Sequence, residues 1–236
     1  MGSEPGAVLF DLDGTLVDSY LGIAATVDAV LERSGHPPCD RVALRALIGA
    51  PLEGIFTTLV PGLNASAVSG YVAAYLELFP RLGVPASPLF PGMEATLGAC
   101  RDAGLRLAVV TSKRHLVAQE VLAACGAGPY FEAVVGADDC PRPKPDPGPA
   151  LLALERLGLP VPAGRRGGRV SVVGDTEFDL GMARAAGCRP IGVGWGYRPP
   201  EVLRAAGAVA IAATPQALLS LLLPTGAQPA RRDSPY

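Results

Sequence analysis

Apolar positions recur along the chain with two different periods, and the change of period divides it. Residues 7–10 read Ala-Val-Leu-Phe without a polar break. A run this short and uniform suits a strand covered on both faces. It stops abruptly at Asp11, with Asp13-Gly14-Thr15 close behind. From residue 21 to about 34 the spacing is helical, with Ile23, Val27, Val30 and Leu31 three or four apart. His36-Pro37-Pro38-Cys39-Asp40 interrupts it, and Asp40 can cap a short helix running through Leu47. Gly49-Ala50-Pro51 breaks the pattern again before an apolar helical stretch over 52–60. Pro61-Gly62 ends that stretch, and 64–82 reads as a longer helix with Val68, Val72, Tyr75 and Phe79 on one face. Residues 20–88 therefore predict an all-helical block.

After Pro91 the rhythm alternates. Helices are expected over 93–103, 115–125, 147–157, 178–186 and 215–223. Gly104, Gly126 and Gly187 close three of them. Strands are expected over 105–110, 133–136, 170–173, 190–193 and 209–213, with a Gly/Arg-rich loop before the third. Such alternation predicts an α/β fold, a Rossmann-like parallel sheet with helices on both faces. The expected organisation is a core of residues 1–19 and 89–223, a smaller helical cap of residues 20–88, and a disordered tail, 224–236. Ligands of such sheets bind beyond the carboxyl ends of the strands. The helical block leaves the core directly after the first strand, so it must sit over that edge as a lid.

Composition narrows the picture. At 236 residues, nearly half apolar, the chain can hold one ordinary domain and an insert. A net charge of −2 without a basic block argues against nucleic acid as the main partner. Cys39, Cys100, Cys125, Cys140 and Cys188 are odd in number and scattered, with no CxxC pair. They suggest neither a disulfide framework nor a zinc site, and fit the reduced thiols of a cytoplasmic protein. No leader-like start and no transmembrane-length run is present, so no membrane partner is expected. The basic residues are almost all arginine, and the two lysines are Lys113 and Lys144.

The chemistry begins at Asp11 and Asp13. Residues two apart on an extended segment point the same way, so both carboxylates can converge at the strand's end. They repel each other and lose hydration, and a divalent cation is the simplest compensation; oxygen ligands favour Mg2+ over Zn2+. One carboxylate can attack phosphorus while the other handles the proton. The bland alternative is an Asp-Gly turn that merely ends a strand.

Four clusters fall at expected strand ends: Asp11/Asp13, Thr111/Ser112/Lys113, Lys144, and Asp175/Asp179. In order and placement they closely resemble the haloacid dehalogenase superfamily of aspartyl-phosphate phosphatases, over nearly the whole chain. Asp11-Leu-Asp13-Gly-Thr15, Thr111, Lys144 within Arg142-Pro-Lys-Pro-Asp146, and Gly174-Asp175-Thr-Glu-Phe-Asp179 match the family's four motifs in turn. The resemblance implies Asp11 as nucleophile and Asp13 as the acid and base. It implies Mg2+ held by Asp11, the Asp13 backbone carbonyl and Asp175, with Asp179 in support. Thr111 and Lys144 would hold the transferring phosphoryl oxygens, with a backbone N–H near Ser112 adding to this; the family varies at Lys113, which is either at the site's edge or at a solvated helix start.

Asp13 separates the chain from the dehalogenase branch of that family. The absence of lysine from 20–88 disfavours the phosphonoacetaldehyde hydrolase branch, which needs a lid lysine. The mutase branch keeps an arginine after the lid glycine; here Arg45 precedes Gly49 and none follows it. Ile48-Gly-Ala-Pro-Leu-Glu53 resembles the specificity loop of phosphoglycolate-phosphatase-like members, which makes Gly49, Glu53 and Arg45 candidates for contacting the leaving group. The expectation is a Mg2+-dependent phosphatase acting on a small soluble phosphate monoester through an aspartyl phosphate. The alternatives are a nucleotidase, a pyrophosphatase or a pathway-specific biosynthetic phosphatase, and further off a sugar-phosphate mutase or a non-catalytic binding module. Monomer and homodimer are both compatible with the sequence.

Overall fold

The computed structural model describes residues 6–160 and 170–223. The tail expected over 224–236, and the part of the Gly/Arg-rich loop at 161–169, lie outside the described residues. Ten helices and six strands are described, in the order β1 (Ala7–Phe10), α1 (Tyr20–Arg33), α2 (Arg41–Leu47), α3 (Leu52–Leu59), α4 (Ala65–Leu82), α5 (Met93–Asp102), β2 (Arg106–Val110), α6 (His115–Ala124), β3 (Ala133–Val135), α7 (Gly148–Arg156), β4 (Val170–Gly174), α8 (Glu177–Ala185), β5 (Arg189–Val193), α9 (Pro200–Ala205), β6 (Ala210–Ala212) and α10 (Pro215–Leu222).

All six strands form one parallel sheet in the order β3-β2-β1-β4-β5-β6. The first strand is thus central, with Leu9 opposite Ala108 on one side and Val172 on the other. Its uninterrupted apolar run has the predicted cause. Val8 and Phe10 enter one apolar cluster, while Ala7 and Leu9 enter the cluster on the opposite face. The first cluster extends beyond the sheet into the helices, through Val27, Phe56 and Phe79.

Helices α1–α4 follow one another without a strand, and α1 and α3 pack on α4. The chain leaves for them and returns through a narrow neck. Val17 bridges Leu89, the Asp18 N–H donates to the Pro88 carbonyl at 2.9 Å, and the Phe90 N–H donates to that of Leu16 at 3.0 Å. Asp40 and Asn64 each accept an N–H of the following first turn, so α2 and α4 start at side-chain caps.

Helix α9 is missing from the sequence expectation. It starts at Pro200, and proline suits the first helical position, where its missing N–H has no partner to lose. Other boundaries shift by one or two residues, as helix and strand ends commonly do.

One polar node ties three elements together behind the sheet edge. Asp139 accepts the Gly136 N–H at 2.7 Å, meets the His115 ring at 2.7 Å and pairs with Arg156 at 2.9 Å. Burial would raise its carboxyl, but the Arg156, Gly136 and His115 contacts outweigh that and hold it well below the ordinary range. A carboxyl lowered by folding stabilises the fold above its unfolded value and loses that contribution as pH falls through the folded one. Asp139→Asn is therefore expected to cost about 1–2 kcal/mol at neutral pH, since the partly exposed pair is screened. Urea denaturation at neutral and acid pH checks it: the gap from the parent should narrow as the solution is acidified.

Candidate functional site

The strand ends bring the polar clusters to one place. Asp11 follows β1 directly and is fixed by its own N–H donating to the Val173 carbonyl of β4 at 2.9 Å. Thr111 follows β2 and is held by the Val135 carbonyl of β3 in the same way. Asp175 follows β4, and Asp179 stands in the first turn of α8. Lys144 reaches in from the loop before α7. Its Nζ donates to Asp11 Oδ1 at 2.8 Å and to Asp179 Oδ1 at 2.6 Å.

Asp179 also caps its own helix. Its Oδ2 accepts the Thr176 hydroxyl at 2.6 Å and the Thr176 N–H at 3.1 Å. Asp175 accepts the Thr15 hydroxyl at 3.2 Å and the Tyr197 N–H at 2.7 Å. Gly14 lies above it at φ +81°, where a Cβ would sit 2.5 Å from Asp175 Oδ2. Only glycine both adopts that turn and leaves the room.

One carboxylate oxygen from each of Asp11, Asp175 and Asp179 lies within 4.8 Å of the others, and all three residues are buried. Burial first, then the Asp179 charge, push the Asp11 carboxyl well above its ordinary value and that of Asp175 up to about 7. Burial would lower the Lys144 ammonium, but Asp11 and Asp179 more than restore it and keep it protonated. The cluster thus holds three carboxylates against one cation. Its donor set, all oxygen, is the kind a hard divalent cation takes.

Asp13 stands apart from this trio. Its Oδ1 accepts the Ser19 hydroxyl at 2.6 Å, and Oδ2 pairs with Lys113 Nζ at 3.2 Å. Ser19 in turn meets the Tyr197 hydroxyl at 3.2 Å. Lys113 also lies 4.0 Å from the centre of the Phe79 ring on α4, a cation–π contact that links the strand end to the helical block.

These groups open onto a cavity of about 330 Å³ between the sheet edge and helices α3 and α4. Asp11, Asp13, Thr111, Ser112, Lys113 and Lys144 line its floor; Gly49 and Glu53 line its roof. Gly49, at φ +101°, passes so close to α8 that a Cβ would lie 2.9 Å from Thr176 Cγ2. Asp175 lies behind the cavity wall, and Arg45 is not among the lining residues.

The placement of Arg45 corrects a sequence expectation. Its guanidinium lies 5.4 Å from the Tyr20 ring centre and 5.3 Å from that of Tyr197, and it donates to the Gly196 carbonyl at 3.2 Å. Two aromatic faces and a carbonyl satisfy it on the outer side of the loop. Arg198 acts in the reverse direction: it pairs with Glu177 at 3.0 Å and donates to the Arg45 and Ile48 carbonyls at 3.3 and 3.1 Å. Sequence reading missed Ser19, Tyr197 and Arg198. The one available signal for the last two was their position just beyond an expected strand's carboxyl end.

Residues 8–193 match the family model of haloacid dehalogenase-like hydrolases. The probable phosphatase IndB of Dickeya dadantii is 40% identical over 84% of this chain and 85% of its own. A phosphoglycolate phosphatase of Xylella fastidiosa is 35% identical over 84% and 83%. A solved haloacid dehalogenase-like hydrolase from Streptococcus pneumoniae superposes with a TM-score of 0.81 at 27% identity, covering 93% of this chain and 99% of its own.

Removing the buried cation should expose the electrostatic cost of the cluster. Lys144→Met leaves Asp11 and Asp179 facing each other unpaired, and is expected to cost about 3–5 kcal/mol of stability in metal-free buffer at neutral pH. The Asp11 carboxyl, already raised by burial and by the Asp179 charge, loses its cation, so the penalty should lessen as it protonates in acid. Chemical denaturation across pH checks both the size and the sign.

Proposed function

Because the chain belongs to the haloacid dehalogenase-like hydrolase family, we propose that it is a Mg2+-dependent phosphatase that hydrolyses small phosphate monoesters through an aspartyl phosphate. The observation that carries this reading is the Asp11–Lys144–Asp179 bridge, with Asp175 in reach of a shared cation and Asp13 facing the same cavity. Named phosphatases among the relatives support the reaction class, and the phosphoglycolate phosphatases among them support a small ester.

On this reading Asp11 attacks phosphorus: a bond forms from its carboxylate oxygen as the bond to the leaving oxygen breaks. Asp13 gives that oxygen its proton, then takes one from the water that attacks the aspartyl phosphate and releases Asp11. The Ser19 hydroxyl and the Lys113 ammonium orient the Asp13 carboxylate for both transfers. Lys144 and Thr111 hold oxygens of the transferring group, whose negative charge needs fixed positive partners. Asp11, Asp175 and Asp179, with the Asp13 carbonyl, would hold Mg2+, which supplies further positive charge to the phosphoryl oxygens when bound.

We further read residues 20–88 as a cap over a core formed by 1–19 and 89–223. The cap would exclude water and bulky substrates from the cavity. Arg198 would serve this arrangement by holding the Arg45 and Ile48 carbonyls, where the chain leaves α2 for the loop that carries Gly49.

The purified protein should release phosphate from 4-nitrophenyl phosphate with Mg2+, lose that activity in EDTA and regain it when Mg2+ is restored. Asp11→Asn should abolish it. Asp13→Asn should bind Mg2+ in calorimetry while turnover falls by about 10²–10⁴. Normal turnover in the Asp13 variant would remove its acid and base role; no turnover by the parent would remove the phosphatase reading.

A further inference from the structure

The floor of the cavity accounts for a phosphoryl group; its upper wall has no part in that chemistry. Ile48, Leu52 and Ile55 on one side, Val72 and Leu76 on α4, and Val117 on α6 make that wall apolar. Among these aliphatic side chains stands the hydroxyl of Tyr75, with the Glu53 carboxylate also bordering the space.

Tyr75 is 4% exposed, yet its hydroxyl makes no hydrogen bond among the described residues, while no sealed polar side-chain atom is left unsatisfied. Its ring is fixed, stacked on Phe79 at 5.3 Å and edge-on to Phe56 at 6.2 Å. A buried hydroxyl that cannot swing away and has no protein partner must find its hydrogen bond in the cavity it lines. The sequence placed Tyr75 on the apolar face of its helix, as one more core residue.

Charge on the cavity wall points the same way. Lys144 and Lys113 are already paired with Asp11 and Asp13. Arg114 remains, exposed at the start of α6, and the carboxylates of Glu53 and Asp138 also line the space. A leaving group carrying its own carboxylate would meet aliphatic side chains and two acids, with the solvent-exposed Arg114 as the one unpaired cation among the described lining residues. An uncharged one would bury its apolar face and offer hydroxyls to Tyr75 and Glu53. About 330 Å³ is within the range of pockets for ligands larger than a two-carbon hydroxy acid.

We infer that the substrate is the phosphate monoester of an uncharged alcohol of about nucleoside size, with an apolar face against α3 and α4 and a hydroxyl bound by Tyr75. This rests on the phosphatase reading above and narrows it, away from phosphoglycolate.

The test compares kcat/KM, with Mg2+, for 4-nitrophenyl phosphate, phosphoglycolate, adenosine 5′-monophosphate and its 2′,3′-dideoxy analogue. Adenosine monophosphate should exceed phosphoglycolate at least tenfold, and its dideoxy analogue by a similar factor. In Tyr75→Phe, which keeps the ring and its stacking, the preference for the hydroxylated nucleotide over the dideoxy analogue should collapse toward one. A phosphoglycolate rate equal to or above that of the nucleotide overturns the inference while 4-nitrophenyl phosphate turnover leaves the phosphatase intact. A hydroxyl preference unchanged in Tyr75→Phe overturns the role of Tyr75. Failure to hydrolyse any of the four removes the hydrolase reading and the inference with it.

Discussion

Three carboxylates forced together out of water set the terms for this molecule. Asp11 and Asp175 end neighbouring strands of a parallel sheet, and Asp179 begins the helix after the second. Parallel pairing of β1 with β4 fixes the two strand ends side by side, so the repulsion is built into the sheet. Lys144 offsets part of it, Thr15 and the Tyr197 N–H solvate part of it, and the rest appears as raised carboxyls. A site in this condition gains by taking up positive charge.

The same constraint reaches the helical block through a chain of contacts. Asp175 binds the Tyr197 N–H, Tyr197 meets Ser19, and Ser19 holds Asp13. The next residue, Arg198, grips the carbonyls of Arg45 and Ile48 at the loop over the cavity. The loop after β5 therefore touches the acidic trio, the neighbour of Asp13 and the cavity roof within two residues.

The sequence disclosed what was local or periodic. The central strand was legible because burial on both faces leaves an unbroken apolar run, and Asp11, Asp13, Thr111, Lys144 and Asp175 because each follows such a strand or sits in a distinctive motif. Gly49 was legible as a loop signal, while its approach to Thr176 was not. Arg45 misled, since a charge beside a loop does not reveal which side of the loop it faces; two tyrosines, one of them more than 150 residues away, decide that. Tyr75 was hidden by its own periodicity: helical spacing identifies a buried face but not whether that face meets packed atoms or a cavity. Helix α9 was hidden because a proline pair marks a helix start as readily as a break.

The neck at Val17 and Leu89 carries a consequence for how such a protein can change. The two chain ends of the intervening helices lie one backbone hydrogen bond apart, so the sheet meets the whole segment as if it were a single loop. Strand order and register are set without any strand from that segment. Side chains of that segment which face the cavity can therefore differ without altering a strand of the sheet.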